Sequence, residues 1–182
     1  QQVHSNRIIS ADPDNIGDEA DGSWTDHAGR VCVVMTADCL PVLICNQQGS
    51  RVAAAHAGWR GLHAGVITNA IRRLESDPSE LMVWLGPAIG PQTFEVGAEV
   101  LRAFTDRNRE NTPAFRQTDD QHWLCDLYQL ARIELSSQGV TSVFGGKECT
   151  YTDEQRFYSY RRDGDTGRMA SLIWLGEQDT GK

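Results

Sequence analysis

Apolar positions come in two rhythms along this chain, and the change between them sets out its elements. Met35 to Gly61 holds two apolar runs on either side of a turn built on Asn46 and Gly49, which reads as a β-hairpin. Val31 to Thr36, just before it, is a β-branched run and predicts a buried strand. After Gly61 the period lengthens. Leu62, Val66, Ala70 and Leu74 recur every four residues with Ile67 and Ile71 beside them, predicting a helix from Leu62 to Glu75 that Asp77-Pro78 ends. Leu81 to Leu85 reads as a strand running into Gly86-Pro87-Ala88-Ile89-Gly90-Pro91, a rigid loop.

A second helix is expected from Phe94 to Arg107, with Val96, Val100, Ala103 and Phe104 on one face. A third is expected from Cys125 to Gln138, carrying Leu127, Leu130, Ala131 and Leu135, with Gly139 placed to cap it. Thr141 to Phe144 and Met169 to Leu175 read as further strands. Residues 1–9 are expected to be extended. Ala11 to Gly29, with six acidic residues and three glycines, reads as a surface loop anchored by Trp24. Asn108 to Gln121 is polar and expected at the surface, and Gly176 to Lys182 is expected to be a frayed tail. No repeat or linker divides the chain, so a single α/β domain is predicted.

Composition narrows the class. A chain of 182 residues, 40% apolar, suits one domain with a sizeable core. A net charge of −8 without a basic run argues against a nucleic-acid partner. No apolar run reaches membrane-spanning length and no secretory signal opens the chain, so no membrane partner is expected. Five cysteines without framework spacing fit a reducing compartment, and the expected location is cytoplasmic. The chain opens Gln1-Gln2-Val3-His4 without an initiator Met, which predicts a processed or shortened form.

The candidate chemistry gathers on the hairpin. Folding it back brings Cys39, at the start of one run, beside His56, at the end of the other. A thiol next to an imidazole is a metal half-site or a nucleophile with its base, and burial alone also explains each residue. His4 is a third candidate ligand. One thiolate and two imidazoles would leave a fourth position open, the arrangement of a catalytic zinc. The 34 and 16 intervening residues match no short ligand motif. His27 and His122 read as solvated, and His63 as a surface residue or outer partner. Cys32, Cys45, Cys125 and Cys149 read as packed thiols. Arg60 follows a Gly-containing turn just before a helix, where an anion is favoured. Arg161 and Arg162 follow Phe157, Tyr158 and Tyr160, a pairing of guanidinium and aromatic faces suited to a purine or sugar with phosphate; an edge strand balancing acidic surface is the plainer reading. The Gly-Pro loop offers N–H groups to an anion or makes a tight strand exit.

Several stretches together resemble the YfiH family: Thr36-Ala37-Asp38-Cys39-Leu40-Pro41, His56-Ala57-Gly58-Trp59-Arg60-Gly61, Leu85 to Pro91, Phe94-Glu95-Val96-Gly97, Tyr158 to Arg162 and Thr166 to Ala170, with Gln2-Val3-His4 ahead of them. Its members are described as laccase-domain or polyphenol-oxidase proteins and as multifunctional purine nucleoside enzymes. The resemblance implies a layered α/β/β/α fold with mixed sheets, of the cysteine-hydrolase type, and a catalytic zinc on His4, Cys39 and His56. It implies phosphorolysis of adenosine, inosine and methylthioadenosine, together with adenosine deamination, so a purine nucleoside and phosphate are the expected partners. Cys39, His56, Asp38 and Arg60 are then the catalytic candidates, with Glu95 a second candidate acid; Arg60, Tyr160, Arg161 and Arg162 are the substrate-binding candidates. Family members also carry a region ahead of Gln-Val-His with an Arg-x-Gly-Gly segment, which this sequence lacks.

Counting tests the laccase description. One Cys and two His suit a copper centre, but a multicopper oxidase needs a further cluster held mostly by imidazoles, and five histidines with two committed do not furnish it. Copper is therefore the less favoured metal. The alternatives are a metal-free Cys39–His56 hydrolase, for which the resemblance implies peptidoglycan precursors as substrate, a copper polyphenol oxidase, and a non-catalytic binding domain.

Overall fold

The structure is a computed structural model that describes residues 1–177. Strands β1 (Ile9–Ser10), β2 (Gly22–Thr25), β3 (Val31–Thr36), β4 (Leu40–Asn46) and β5 (Val52–Ala57) come first. They are followed by α1 (Trp59–Ala64), α2 (Val66–Leu74), β6 (Leu81–Leu85), β7 (Glu95–Gly97), α3 (Ala98–Arg107), β8 (Phe115–Gln117) and β9 (His122–Cys125). The chain then forms α4 (Leu127–Ser137), β10 (Ser142–Gly145), α5 (Tyr160–Asp163) and β11 (Met169–Trp174).

The main sheet has the order β1-β2-β5-β4-β6-β10, with β1/β2 and β6/β10 parallel and the rest antiparallel. Its centre is the predicted hairpin, β4–β5, in which Leu40 faces Ala57 and Pro41 faces His56. Both faces of β5 are covered, so the whole strand is buried. Its small residues allow this: Ala53 and Ala55 meet the helices, while Val52 and Ala54 meet a second sheet. Ile67, Ile71 and Leu74 of α2 and Leu127, Leu130 and Leu135 of α4 close the helical side. Each such buried Leu or Ile contributes about 1.5–3 kcal/mol against exposure.

The second sheet pairs β11 with β3 antiparallel, and the third has the order β7-β9-β8. The α/β class and the mixed sheets match the expectation, and the layers over the described residues run α/β/β. The β3 strand is not buried throughout. Cys32 and Val34 pack inward, but Val31, Val33 and Met35 face outward with Leu172 and Trp174 of β11. A two-stranded sheet laid on a larger one has only one face to bury.

Four further boundaries differ from expectation. The first helix starts at Trp59 and breaks at Gly65, whose φ of 86° ends α1 and opens α2. Phe94 to Gly97 is extended, because Val96 pairs with Trp123, so α3 begins only at Ala98. Asn108 to Gln121 contains a 3₁₀ turn at Arg109–Ala114 and the strand β8. The acidic segment Ala11 to Gly29 contains β2, which inserts between β1 and β5. A Cβ on Gly22 would stand 2.5 Å from the Ala54 carbonyl oxygen, so only glycine lets β2 lie this close. Gly139, with φ of 89°, follows α4 as expected, its N–H reaching Ser136 O while Val140 N–H reaches Leu135 O. Residues 178–182 of the expected tail lie outside the described residues. No described helix is long and apolar enough to cross a membrane.

Candidate functional site

Three chain segments meet at one end of the central strands. The hairpin register puts His56 opposite Pro41, and Cys39 lies immediately before β4. Asp38 turns the chain there with a φ of 85°, a left-handed conformation that is strained for a residue with a Cβ. His4, also left-handed at φ of 60°, comes in from the extended amino-terminal segment. Ligand atoms of His4, Cys39 and His56 all lie within 4.8 Å of one another, and Cys39 Sγ is 3.9 Å from His4 Nε2.

Asp21, a residue the sequence did not single out, holds this arrangement. It is fully buried, and its carboxylate accepts hydrogen bonds from the backbone N–H groups of Val3 (3.2 Å), His4 (2.9 Å) and Ser5 (2.5 Å) and from the Ser5 hydroxyl (2.8 Å). On its other side it lies 2.8 Å from His56 Nδ1. One carboxylate therefore fixes the backbone of one imidazole and the ring of the other. Burial alone would raise the Asp21 carboxyl, but the hydrogen bonds from His56, Ser5 and Val3 outweigh it and hold the group below its usual range. Burial pushes the His56 imidazole down, which favours the neutral form, and the Asp21 contact only partly opposes it.

These residues fit a metal ion. Donor atoms sharing one tetrahedral zinc stand roughly 3.5 Å apart, close to the separation of Sγ and Nε2 here. With Nδ1 of His56 engaged by a carboxylate, Nε2 is left for a ligand, the usual outer-shell arrangement for a metal-bound histidine. Gly58 makes the room: a Cβ there would lie 2.8 Å from Cys39 Sγ and 3.2 Å from His4 Cδ2. Burial, then Asp38 and Asp21, push the Cys39 thiol up to about 12. A thiol in that state needs a neighbouring cation to become a thiolate.

The group opens onto a cavity of about 890 Å³ whose wall includes Trp59, Arg60, Phe94, Tyr160, Arg161 and Arg168. Arg60 lies over the Trp59 ring at 4.4 Å. Arg161 lies over Phe94 at 5.3 Å and donates to the Glu95 carbonyl. Tyr160 is exposed beneath Arg168 at 5.9 Å. Arg162, expected among the substrate-binding residues, is turned elsewhere. Its guanidinium donates to the carbonyls of Thr150, Tyr151 and Phe157 and pairs with Asp163, which fixes the loop ahead of α5.

Asp38 lines the cavity, but both its carboxylate oxygens are occupied. Thr150 Oγ1 donates to one at 2.6 Å and Arg161 N–H to the other at 2.6 Å. It ties the Cys39 turn to α5, a positioning role rather than that of a free acid. Glu95 stands in β7 and is not part of the wall. The Gly-Pro loop proves a tight strand exit: the N–H groups of Gly86, Ala88 and Ile89 go to Pro41 O, Tyr128 Oη and Asp38 O.

Of the other histidines, His27 and His122 are exposed beside Asp26 and Asp119, and His63 is half-buried against Phe104. Cys32 and Cys125 are buried as expected. Cys149 is only half-buried. Its sulfur receives the Gly90 N–H at 3.2 Å, and hydrogen bonds from Thr152, Thr93 and Gly90 overcome burial and bring the thiol down to about 7.

A family model described as multi-copper polyphenol oxidoreductase laccase matches residues 1–176. A purine nucleoside phosphorylase of Pseudomonas aeruginosa is 52% identical over 175 residues, 96% of this chain and 72% of that protein. The purine nucleoside phosphorylase YfiH of Escherichia coli is 51% identical over 176 residues, again 96% and 72% of the two chains. This chain belongs to the YfiH family. The crystal structure of a Neisseria meningitidis protein superposes with a TM-score of 0.93 at 49% identity, covering 96% of this chain and 73% of that one. YlmD of Geobacillus stearothermophilus gives a TM-score of 0.89 at 31% identity over 97% and 72% of the two chains. Among the described residues of this YfiH-family chain, His4, Cys39 and His56 are the only group of three or more such side chains placed to hold a metal ion.

Proposed function

We propose that this chain is a zinc-dependent purine nucleoside phosphorylase that also deaminates adenosine, with inosine and methylthioadenosine as further nucleosides and the cytoplasm as its location. The observation that carries the reading is the His4–Cys39–His56 group opening onto a cavity walled by aromatic rings and guanidinium groups. The names of its relatives point the same way. In the phosphorolytic step a phosphate oxygen bonds to C1′ of the ribose as the bond from C1′ to the purine nitrogen breaks. The electron pair leaves with the purine, which takes up a proton, giving free base and ribose 1-phosphate.

The chain's residues supply binding and orientation for that step. Arg60 offers a guanidinium to the phosphate, whose charge it matches. Trp59 and Tyr160 offer ring surface to the base, and Arg161, stacked on the buried Phe94, closes the same wall. His4, Cys39 and His56 would hold the zinc, with Asp21 fixing the His56 ring and the His4 backbone. When bound there, zinc supplies Lewis-acid polarisation and makes water a stronger acid, the requirement of deamination. Copper fits the same donors, but the remaining histidines, His27, His63 and His122, lie apart from the group, which favours a single metal over a multicopper oxidase.

A nucleoside panel on zinc-loaded protein tests the reading. Adenosine is expected to give inosine without phosphate, and ribose 1-phosphate only when phosphate is added. Chelation is expected to abolish the first product. Neither product from any nucleoside would overturn the proposal.

One observation favours a second reading. Cys39, His56 and Asp21 have the order of a thiol hydrolase triad. Against it, the resolved sulfur contact is with His4 Nε2, and the thiol is held protonated. Alkylation of the metal-free protein separates the two. Cys149 is expected to react first, half-maximally near pH 7 because its thiolate forms as pH rises through about 7, while Cys39 stays inert. Faster labelling of Cys39 would support the hydrolase.

A further inference from the structure

Some arginines of this acidic chain are matched with carboxylates, Arg7 with Asp18, Arg30 with Asp12, Arg51 with Glu75 and Arg156 with Asp153 and Glu148, while Arg72, Arg73, Arg102, Arg107, Arg109, Arg116 and Arg132, unmatched among the described residues, lie away from the cavity. The three on the cavity wall, Arg60, Arg161 and Arg168, have no carboxylate partner within 4.0 Å among the described residues. In a chain of net charge −8, three unmatched guanidinium groups in one cavity mark a site for an anion.

They are not equivalent. Arg161 is already seated, its Nη1 on the Glu95 carbonyl and its plane over Phe94. Arg60 touches only the Trp59 ring face, which leaves its N–H groups to a ligand. Arg168 uses Nη1 on the carbonyls of Thr166 and Gly167 in its own loop, and its other N–H groups have no acceptor among the described residues. Topology brings these two together. Met169 pairs with Thr36 in the β11–β3 ladder, so Arg168 lies where β3 gives way to Ala37, Asp38 and Cys39. Arg60, in the first turn of α1, follows His56 of β5, the strand that pairs with β4, by four residues. Both line the cavity onto which Cys39 opens.

We infer that Arg60 and Arg168 together clamp inorganic phosphate beside the His4–Cys39–His56 group, Arg168 supplying the second guanidinium. The choice of phosphate rests on the phosphorylase reading; the clamp itself rests on the two unmatched guanidinium groups. A phosphate dianion offers enough oxygens to accept from two forks at once, and each fork binds it more specifically than an ammonium would.

Calorimetric titration of zinc-loaded protein with inorganic phosphate, with no nucleoside present, tests the clamp. Saturable binding is expected in the natural sequence. Arg60→Ala and Arg168→Ala are each expected to weaken it by on the order of tenfold or more, the usual loss for a hydrogen bond to a charged group. Arg168→Lys should restore only part of the loss, since the charge returns without the fork. Arg168 is exposed, so thermal unfolding of Arg168→Ala should match the unaltered protein. An unchanged dissociation constant in Arg168→Ala, or no saturable phosphate binding in the natural sequence, would overturn the clamp. The two claims fail separately. Phosphate held by both arginines with no nucleoside split sinks the phosphorylase reading alone. Nucleoside split with phosphate affinity indifferent to Arg168 sinks the clamp alone.

Discussion

Cys39→Ala is expected to leave a folded protein that no longer retains zinc. In the proposed metal site Cys39 would supply one of three donors, and among the described residues the cavity wall has no fourth cysteine or histidine to replace it. Removing even an outer partner of a metal ligand typically costs roughly 10- to 100-fold in affinity, and removing the thiolate itself should exceed that. The fold should tolerate the change, because Cys39 is only half-buried and stands outside the hydrophobic core. Elemental analysis after gel filtration reads the result directly: about one zinc per chain in the natural sequence and essentially none in Cys39→Ala. Undiminished zinc in Cys39→Ala would remove the metal assignment.

Asp21→Ala is expected to have the second large effect, and to strike the fold as well as the metal. The substitution leaves the N–H groups of Val3, His4 and Ser5, the Ser5 hydroxyl and His56 Nδ1 without their common acceptor. Breaking a buried charged network by removing one partner costs roughly 3–5 kcal/mol. The amino-terminal segment that carries His4 should detach first, since Asp21 is its main polar anchor. Asp21→Asn keeps the size and loses the charge, so it should unfold at a higher temperature than Asp21→Ala but still bind zinc more weakly than the natural sequence. The pH dependence follows from the direction of the shift. The Asp21 carboxyl is held below its usual 3.8, so the unfolded chain takes up the proton first as pH falls. Its stabilisation is present in full above about 3.8 and is lost as pH falls through the lower folded value. In Asp21→Asn that part of the acid limb should flatten; an unaltered acid limb and unaltered zinc content would return Asp21 to an ordinary packing role.

The hairpin was legible because both its strands and its turn announce themselves locally, and with it the meeting of Cys39 and His56. His4 was legible as a candidate, but its approach depends on Asp21, 17 residues away in the chain. Nothing near Asp21 marks it among the six acidic residues of its segment, and β2 beside it is short, glycine-led and polar. A rule would have helped: a metal-bound histidine usually has a carboxylate on its other nitrogen. The misplaced helix start at Phe94 and the half-exposed β3 have a similar cause. Period alone does not say which strand a segment will pair with, or whether one face or two will be covered. Arg162 looked equivalent to Arg161 in sequence. Only the capped turn at Ser159 separates them, turning one toward the cavity and the other into backbone carbonyls.

The central claim is that this cavity splits a purine nucleoside with phosphate. Zinc-loaded protein given inosine and phosphate tests it most directly, with hypoxanthine and ribose 1-phosphate followed together. The account predicts the two products in equal amounts, none of either without phosphate, and loss of both in Cys39→Ala. Hypoxanthine released at the same rate without phosphate, or no hypoxanthine at all from the zinc-loaded natural sequence, would contradict it.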